Sequence, residues 1–334
     1  MTDSTIPDEG IWFTVDENAT GSGARRAAER LAIQVGLAAA RISELSIVVA
    51  ELASNLVKHA SGGSLLVRPV RRHGEAGVAL FAVDSGPGMA DLARSARDGH
   101  STAGSLGIGL GAIGRLASWY DAHSVPGKGT VVVVEIWPGK PPELEWAAAI
   151  ARPLTGGQVC GDGYAWRLSD ERRQVLVSDG LGHGALAAAA SQAAVHAFHR
   201  APAATPAAVV EHLHRSISHT RGAALAVAEL DLPAATVRFA GLGNIAATVL
   251  EGDTRRGMIS LPGIAGHQRR AVREYSYPLT AQSRVVMHSD GVNDRWRPDD
   301  YPGLGEHHPA VAAATILRDA GVRRDDACVL VARG

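Results

Sequence analysis

Hydrophobic and polar positions along the first 140 residues follow two different periods, and the change of period predicts a layered domain. Short apolar runs between turn residues predict strands, and longer stretches with apolar residues every three to four positions predict helices. The predicted order is strand, two helices, two strands, helix and strand, over residues 11–15, 22–35, 38–59, 64–71, 78–84, 109–120 and 131–136. This order is typical of an α/β domain with a mostly antiparallel sheet.

In the remaining sequence, short strand-like runs surround a central pair of alanine-rich helical stretches. The predicted strands are 147–153, 163–168, 174–178, 223–230, 236–241, 245–251, 284–288 and 327–332. The predicted helices are 185–199, 206–220 and 309–320. Strand-rich sequence around a helix pair indicates an α+β sandwich.

A proline-rich segment separates the two patterns. The run Trp137-Pro-Gly-Lys-Pro-Pro142 cannot continue a helix or a central strand, because proline lacks the backbone N–H that both require. A chain of 334 residues also suits two domains of ordinary size. We therefore predict a domain at 1–137, a linker at 138–146 and a second domain at 147–334.

Composition excludes several classes of protein. Hydrophobic residues make up 46% and charged residues 20%, which fits a packed core and not a disordered chain. The net charge of −1 argues against nucleic acid as a partner, since binding phosphate backbones requires a basic surface. The chain has 2 cysteines, an acidic start without an apolar stretch, and no apolar run near the ~20 residues that span a bilayer. We expect a soluble cytoplasmic protein with no membrane partner.

The second predicted helix carries a polar stripe. Glu51, Asn55 and His59 are spaced by four and share one face, with Lys58 beside them. An amide oxygen suits Mg²⁺, a lysine offsets phosphate charge, and a glutamate can take a proton from a hydroxyl nucleophile. An amphipathic helix that turns its polar face to water would show the same spacing.

Two glycine-bearing segments follow. Asp84 ends an apolar run and precedes Ser-Gly86-Pro-Gly88, where glycines allow close approach of the backbone to a base. Asp-Ser-Gly is also common where a strand exits into a turn. The later run 104–114 is rich in glycine and precedes a helix, whose N-terminus favours anions. A polar loop precedes this run, so its Gly-x-Gly-x-x-Gly does not fit a Rossmann site.

The order of these motifs, ending with Gly127-Lys-Gly-Thr130, resembles the GHKL ATPases, which include gyrase and the histidine kinases. Within that family it is similar to the RsbT-type serine/threonine kinases that act on STAS-domain proteins. The resemblance implies a Bergerat α/β sandwich that binds ATP with Mg²⁺. It implies Asn55 as the Mg²⁺ ligand and Glu51 as the catalytic base. The other implied ATP contacts are Lys58, Asp84 with Gly86 and Gly88, the lid glycines Gly107, Gly109 and Gly111, and Thr130.

Four acidic signals are spread through the second domain. They are Gly161-Asp162-Gly, Ser178-Asp179-Gly180, Ser289-Asp290-Gly and Asp325-Asp326. A single Asp-Gly pair is more typical of a plain turn. Carboxylates that converge from separate strand ends, however, hold two Mg²⁺ or Mn²⁺ ions well, and water bound to such ions is a good nucleophile.

The order of these acidic signals resembles the SpoIIE/RsbX branch of the metal-dependent (PPM) serine/threonine phosphatases, which implies an α-β-β-α sandwich and two Mn²⁺ or Mg²⁺ ions. It implies Asp162, Asp179, Asp290 and either Asp325 or Asp326 as metal ligands. It also implies Asp179 as the catalytic, bridging residue and Gly180 as the donor of a carbonyl oxygen. Asp325 is favoured, because the metal aspartate of that family is usually followed by Asp or Asn. His183 lies four residues after Asp179, so we assign it no role.

The two resemblances together predict a bifunctional regulator of a partner-switching, stressosome-like stress response. The first domain is expected to phosphorylate STAS-domain partners with ATP, and the second to dephosphorylate phosphoserine or phosphothreonine. Two alternatives stay open: an ATP- or ADP-sensing domain that gates the phosphatase, or an anti-sigma module that binds a sigma factor. Glu51 favours a kinase, because a pure sensor needs no base. Two opposed activities would run a futile cycle, so we expect one to be conditional.

Overall fold

The computed structural model describes residues 3–5, 10–15, 18–60, 62–90, 109–169, 172–268 and 271–334. Its strands are β1 (Asp3–Thr5), β2 (Ile11–Thr14), β3 (Ser64–Arg72), β4 (Glu75–Val83), β5 (Trp119–Val125), β6 (Gly129–Ile136), β7 (Ala147–Arg152), β8 (Asp162–Ser169), β9 (Arg172–Gly180), β10 (Ala223–Asp231), β11 (Thr236–Leu242), β12 (Ala246–Glu251), β13 (Thr254–Gly257), β14 (Tyr275–Pro278), β15 (Arg284–His288) and β16 (Ala327–Arg333). The helices within the same ranges are α1 (Asn18–Gln34), α2 (Ala39–His59), α3 (Gly109–Leu116), α4 (Ala185–Arg200), α5 (Pro206–Ser216) and α6 (Pro309–Ala320). None of these helices is long and apolar enough to cross a membrane.

Internal contacts divide the chain into two compact units, which confirms the two-domain, mixed α/β class. The N-terminal unit comprises Pro7–Leu144 together with Glu306–Arg318. The C-terminal unit comprises Met1–Ile6, Glu145–Gly305 and Asp319–Gly334. Each unit has an apolar core of its own.

The N-terminal unit is a sheet with helices packed on one face. Its strands are antiparallel in the order β2-β3-β4-β6-β5 within the described residues. The apolar stripe of α2, including Leu45, Leu52 and Leu56, packs with alternate sheet residues such as Leu80 and Val134 in one core. Successive side chains of a strand point to opposite faces, so only alternate strand residues meet α2. Since the apolar stripe of α2 faces the sheet, its polar residues lie along the flank of the helix or face solvent.

The third helix of this unit was predicted too long. It ends at Leu116, and Trp119–Val125 forms the edge strand β5, which pairs antiparallel with β6. The Ser118 hydroxyl, between helix and strand, accepts a hydrogen bond from the backbone N–H of Trp137 at 2.8 Å. Strand pairing with β6 therefore overrides the local helical pattern, as tertiary context commonly does.

The helix α6 and the residues just before it belong to a different unit from the one that the sequence-based domain boundary predicts. The boundary placed 306–318 within the second domain, whereas their contacts place them in the N-terminal unit. The Asp121 carboxylate of β5 lies 2.8 Å from Nδ1 of His307 and accepts a hydrogen bond of 2.8 Å from the backbone N–H of His308. These contacts explain the grouping, and no pattern in the sequence marks them.

The C-terminal unit is a double sheet with a helical layer. One antiparallel sheet has the order β1-β8-β9-β10-β11-β14, and the other has the order β13-β12-β15-β16-β7. Facing side chains such as Val177, Phe239 and Met287 fill the core that the two sheets share. The helices α4 and α5 cover the first sheet through a second core that contains Phe198 and Leu213. The strands β1, β13 and β14 were not predicted.

A buried arginine fixes the end of α4. Arg167 of β8 donates to the carbonyl oxygens of Phe198 and Ala201 at 2.7 and 2.6 Å, and to the side-chain oxygen of Gln174 at 3.0 Å. The last carbonyls of a helix lack partners within the helix, so a cation at this end stabilises it. These bonds tie the end of α4 to the strand that begins with Asp162.

Candidate functional site

The register of β8 and β9 brings the first two acidic signals together. Asp162 begins β8, Asp179 is next to last in β9, and the two residues are directly paired across the strands. Directly opposed residues have Cβ atoms about 4.5–5.5 Å apart. The charge of Asp179 is one of the causes that raise the pKa of Asp162. Asp162 and Asp179 belong to two separate Asp-Gly motifs of the sequence. Strand pairing therefore makes them neighbours at one end of the sheet.

The second sheet contributes two more carboxylates. Asp290 follows the end of β15, and Asp325 precedes the start of β16, which pairs with β15. Burial and the charges of Asp290 and Asp325 raise the pKa of Asp179 to about 7. The predicted acidic residues of both sheets therefore act on one another electrostatically and form one cluster.

Ser289 links the two sheets behind this cluster, and sequence reasoning missed it. Its hydroxyl donates to Oδ2 of Asp162 at 2.6 Å and accepts from the backbone N–H of Cys328 at 3.0 Å. Ser289 itself is fully buried. Asn244, which precedes β12, donates its side-chain amide to Oδ2 of Asp290 at 2.6 Å. Both residues orient carboxylates of the cluster.

The structure separates the roles of Asp325 and Asp326. Asp326 is 4% exposed, and its two carboxylate oxygens accept from the backbone N–H groups of Leu154 and Gly161, each at 2.8 Å. Asp325 is exposed, and its charge interacts with Asp290. Asp326 therefore holds the ends of three chain segments together. Asp325 is the better candidate for the metal ligand, in line with the sequence-based preference.

Gly180 follows Asp179 and lies where the end of β9 packs closely against Ala187 of α4. A Cβ atom there would lie 2.0 Å from the carbonyl oxygen of Ala187, a distance that no side chain tolerates. The backbone N–H of Gly180 donates to the carbonyl oxygen of Gly161 at 3.2 Å. A glycine is needed here so that helix and strand ends can meet beside the carboxylates.

The donor set of the cluster fits a hard divalent cation. All of the predicted side-chain ligands are carboxylates, the type of ligand that Mg²⁺ and Mn²⁺ prefer. Asp162 is 8% exposed, and its Oδ1 is buried without a hydrogen-bond partner among the described residues. Burial first, and then the charge of Asp179, raise the pKa of Asp162 well above its usual value. A divalent cation would relieve this repulsion and satisfy the buried oxygen.

The side chains do not yet stand in the positions of ligands. Within the described part of the chain, no group of three or more His, Cys, Asp or Glu residues is arranged to hold a metal ion. The grouping of the carboxylates rests on strand register, burial and mutual charge interaction. The assignment of individual residues as ligands accordingly stays a prediction.

We expect Ser289→Ala to weaken both the fold and the metal site. The substitution leaves the Asp162 oxygen and the Cys328 N–H without their buried partner, which costs about 1–3 kcal/mol of unfolding free energy. Loss of a residue that orients a metal ligand typically lowers metal affinity by about 10–100-fold. Urea denaturation and Mn²⁺ titration measure the two effects. The exposed β14 variant Ser276→Ala is the matched control, and equal behaviour of the two variants would contradict the role of Ser289.

The polar stripe predicted on α2 lies along the flank of the core. Glu51 and Asn55 are half-buried, whereas Lys58 and His59 at the end of the helix are exposed. Neither Glu51 nor Asn55 has a hydrogen-bond or ionic partner among the described residues. Two half-buried polar side chains without protein partners are available to a ligand.

Asp84 lies directly after β4, and its loop is held on several sides. Its Oδ1 accepts from the backbone N–H of Gly86 at 2.7 Å, and its backbone N–H donates to the carbonyl oxygen of Thr130 at 2.9 Å. Burial raises the pKa of Asp84, and the backbone N–H groups of Gly86 and Thr130 oppose the rise. The Asp84 carboxylate is thus a half-buried acceptor in a fixed position.

The glycines of this loop are required by its close packing. Gly88 has a φ of 66°, and a Cβ atom there would lie 2.1 Å from the carbonyl oxygen of Val125. The Thr130 hydroxyl lies 2.9 Å from the hydroxyl of Ser124, which accepts from the backbone N–H of Met89 at 2.8 Å. The β5–β6 hairpin therefore holds the Asp84 loop, and Thr130 is bonded to Asp84 through the backbone. A contact of Thr130 with ATP stays a prediction.

The predicted lid glycines divide into two cases. Gly107 lies outside the described residues. Gly109 and Gly111 lie within α3, at its first turn, and so they do not belong to a loop ahead of a helix. The first N–H groups of a helix have no partner within it, so this position still offers donors to an anion. Phosphate contacts by these glycines stay a prediction.

One unit has an α/β sheet with a half-buried Glu, Asn and Asp set, and the other has a double sheet with an acidic cluster. These features define an ATPase-type domain and a PPM-type serine/threonine phosphatase domain in one chain. Residues 13–136 match the model of the histidine kinase-like ATPase domain. Residues 169–334 match the model of stage II sporulation protein E, SpoIIE. The first half of the chain belongs to the histidine kinase-like ATPase family, and the second half matches the SpoIIE family. Both findings confirm the resemblances seen in the motifs.

Two relatives from Bacillus subtilis (strain 168) match the two halves separately. The serine/threonine-protein kinase RsbT is 32% identical over 114 residues, which are 34% of this chain and 86% of RsbT. The phosphoserine phosphatase RsbX is 23% identical over 141 residues, which are 41% of this chain and 70% of RsbX. The chain is homologous to both proteins, in agreement with a fused kinase and phosphatase.

One solved structure is similar to more than half of the chain. It comes from work on the bacterial stressosome, described as a modular system that has been adapted to control secondary messenger signaling. The match has a TM-score of 0.53 and 25% identity, and it covers 57% of this chain and 100% of the other.

Proposed function

We propose that this chain is a bifunctional cytoplasmic regulator that phosphorylates STAS-domain partners and also dephosphorylates phosphoserine or phosphothreonine on them. The observation that carries the proposal is the presence, in separate units, of two polar sets. One is the unpaired Glu51 and Asn55 face beside Asp84, and the other is the carboxylate cluster around Asp179. Homology to a kinase and to a phosphatase of one bacterial species supports placing both activities in one signalling circuit.

In the kinase step, the chain's own residues would bind the nucleotide and move one proton. The Asp84 carboxylate accepts a hydrogen bond from the adenine amino group, and Asn55 supplies an oxygen ligand for the Mg²⁺ of the ATP. Glu51 takes the proton of the substrate hydroxyl as its oxygen attacks the γ-phosphorus, and ADP leaves. The products are ADP and a phosphorylated partner.

In the phosphatase step, Asp162, Asp179, Asp290, Asp325 and the carbonyl of Gly180 would hold two Mn²⁺ or Mg²⁺ ions. Bound there, the ions supply an acidified water and neutralise charge on the phosphoryl group. Ser289 and Asn244 keep two of the carboxylates in position through the hydrogen bonds described above. Asp326 maintains the packing beneath them.

The proposal is tested on the purified full chain with a STAS-domain protein encoded in the same genome. With Mg²⁺ and ATP, we expect phosphate transfer to a serine or threonine of that protein, seen as a shift on a phosphate-affinity gel. With Mn²⁺ and no ATP, we expect the phosphorylated partner to be converted back. A chain that neither transfers nor removes phosphate under these conditions would rule the proposal out.

A nucleotide-gated phosphatase is the second candidate, and the position of α6 favours it. That helix belongs by its contacts to the nucleotide-binding unit, although it lies in sequence between Asp290 and Asp325. Removal of phosphate that responds to ADP, together with no phosphate transfer from ATP to any STAS partner, would decide for this candidate.

A further inference from the structure

The α6 segment, Glu306–Arg318, is a part of the phosphatase sequence that packs within the N-terminal unit. All residues from Pro309 to Leu317 are buried. A helix that is apolar all round needs packing partners on every side, so it is not free to move independently of them. The segment also connects the two loops that carry Asp290 and Asp325.

The beginning of the α6 segment is anchored to the edge strand β5. Besides the two contacts with the Asp121 carboxylate, the ring of His308 meets Trp119 edge-on at 4.9 Å between centroids. The ring of His307 meets His123 in the same manner at 5.1 Å. Three alternate residues of β5 thus bind this end of the segment to the sheet of the N-terminal unit.

The end of the α6 segment reaches the nucleotide site. Nη1 of Arg318 lies 3.4 Å from the main-chain carbonyl oxygen of Asp84, to which it donates. Burial raises the pKa of Asp84, and the charge of Arg318 is one of the interactions that oppose this rise. Arg318 therefore helps to keep the predicted adenine acceptor ionised and holds the backbone from which it projects.

Directly after Arg318 the chain enters the C-terminal unit and is bound to the loop that follows Asp290. The backbone N–H of Asn293 donates to the carbonyl oxygen of Ala320 at 2.8 Å, and that of Val322 donates to the carbonyl oxygen of Gly291 at 2.7 Å. Asp325 follows three residues later. One short stretch of backbone therefore joins Arg318 to both metal-binding loops of the second sheet.

We propose that Arg318 is a nucleotide-sensing residue, and that the α6 segment couples adenine nucleotide binding at Asp84 to the carboxylates Asp290 and Asp325. The proposal rests on nucleotide binding by the N-terminal unit, as proposed above. A nucleotide that occupies the Asp84 carboxylate fixes the loop on which Arg318 is held, and so fixes the end of α6. Because coupling free energies are reciprocal, the state of the metal loops affects nucleotide affinity equally.

The test uses the full chain at constant Mg²⁺, with ADP as the probe. Hydrogen–deuterium exchange with and without ADP is measured for peptides that cover 306–326, and ADP affinity is measured by calorimetry. We expect ADP to slow exchange across this stretch. We expect Arg318→Gln to weaken ADP binding about fivefold and to cancel the change in exchange. Arg318→Lys, which keeps the charge, should restore most of both effects.

Arg295→Gln serves as the control, since Arg295 is exposed and lies between the same two metal loops without side-chain contacts among the described residues. It should bind ADP and respond to it like the unmodified chain. If ADP binds normally but exchange in 306–326 does not change, or if Arg318→Gln responds like Arg295→Gln, the inference is wrong and the proposed function stands. If the unmodified chain binds no ADP, both are overturned.

Discussion

Asp179→Asn should reduce phosphatase turnover by about 1,000-fold while leaving the protein folded. Asp179 is the central member of the acidic cluster, because it is paired with Asp162 across β8 and β9, and the charges of Asp290 and Asp325 raise its pKa. An amide is a poorer ligand than a carboxylate for a divalent cation and cannot balance its charge. A loss of this size corresponds to about 4 kcal/mol of transition-state stabilisation. Hydrolysis of p-nitrophenyl phosphate at saturating Mn²⁺ measures it.

Thermal unfolding distinguishes this effect from simple loss of structure. In the unmodified chain, Mn²⁺ should raise the midpoint of unfolding, because a cation that binds only the folded state stabilises it. In Asp179→Asn the metal-dependent rise should be lost. Without metal, the variant should unfold at the same temperature as the unmodified chain or higher, since the amide removes repulsion among buried carboxylates. A lower midpoint without metal would indicate that Asp179 has a structural role instead.

Asp253→Asn is the matched control for this experiment. Asp253 is an exposed acidic residue of the same unit, in the turn between β12 and β13. Its substitution should leave turnover and the response to Mn²⁺ unchanged. Equal loss of activity in both variants would show that the acidic cluster around Asp179 is not the site of hydrolysis.

Most of the elements were predictable because their apolar residues repeat with a clear period. The strand Ala327–Arg333 and the helix Ala185–Arg200 agree with their predicted bounds within a residue. β5 was missed because its sequence, Trp119-Tyr-Asp-Ala-His-Ser-Val125, mixes polar and apolar residues without alternation. Its strand conformation comes from pairing with β6, a contact that a local pattern does not contain.

The candidate sites were predictable only to the extent that short motifs mark them. Asp162 and Asp179 stand in recognisable Asp-Gly signatures, and strand register brings them together. Ser289 stands in such a signature too, but its bond to Asp162 spans 127 positions. Arg318 lies 234 positions from Asp84 and stands in no motif. Contacts of this kind depend on the packed fold and leave no trace in local sequence.

Glu51→Ala should abolish phosphate transfer and preserve nucleotide binding. In the proposed mechanism Glu51 contacts the substrate hydroxyl and not the nucleotide, so its removal leaves Asn55 and Asp84 able to bind Mg·ATP. Loss of a general base typically lowers the rate by about 10²–10⁴-fold. Glu51 is half-buried and has no partner among the described residues, so its truncation breaks no interaction seen in the structure. Transfer to the STAS partner and ATP affinity are measured on the same preparation.

The pattern across three variants identifies the role of the first domain. Asn55→Ala should lose both ATP affinity and transfer, because it removes the predicted Mg²⁺ ligand. Glu75→Gln, at an exposed position of β4, should retain both. Transfer that persists in Glu51→Ala would refute the base assignment. A third outcome is that the unmodified chain transfers no phosphate, ADP alters its phosphatase activity, and Glu51→Ala behaves identically. In that case the first domain is a sensor, and the half-buried Glu51 has no catalytic role.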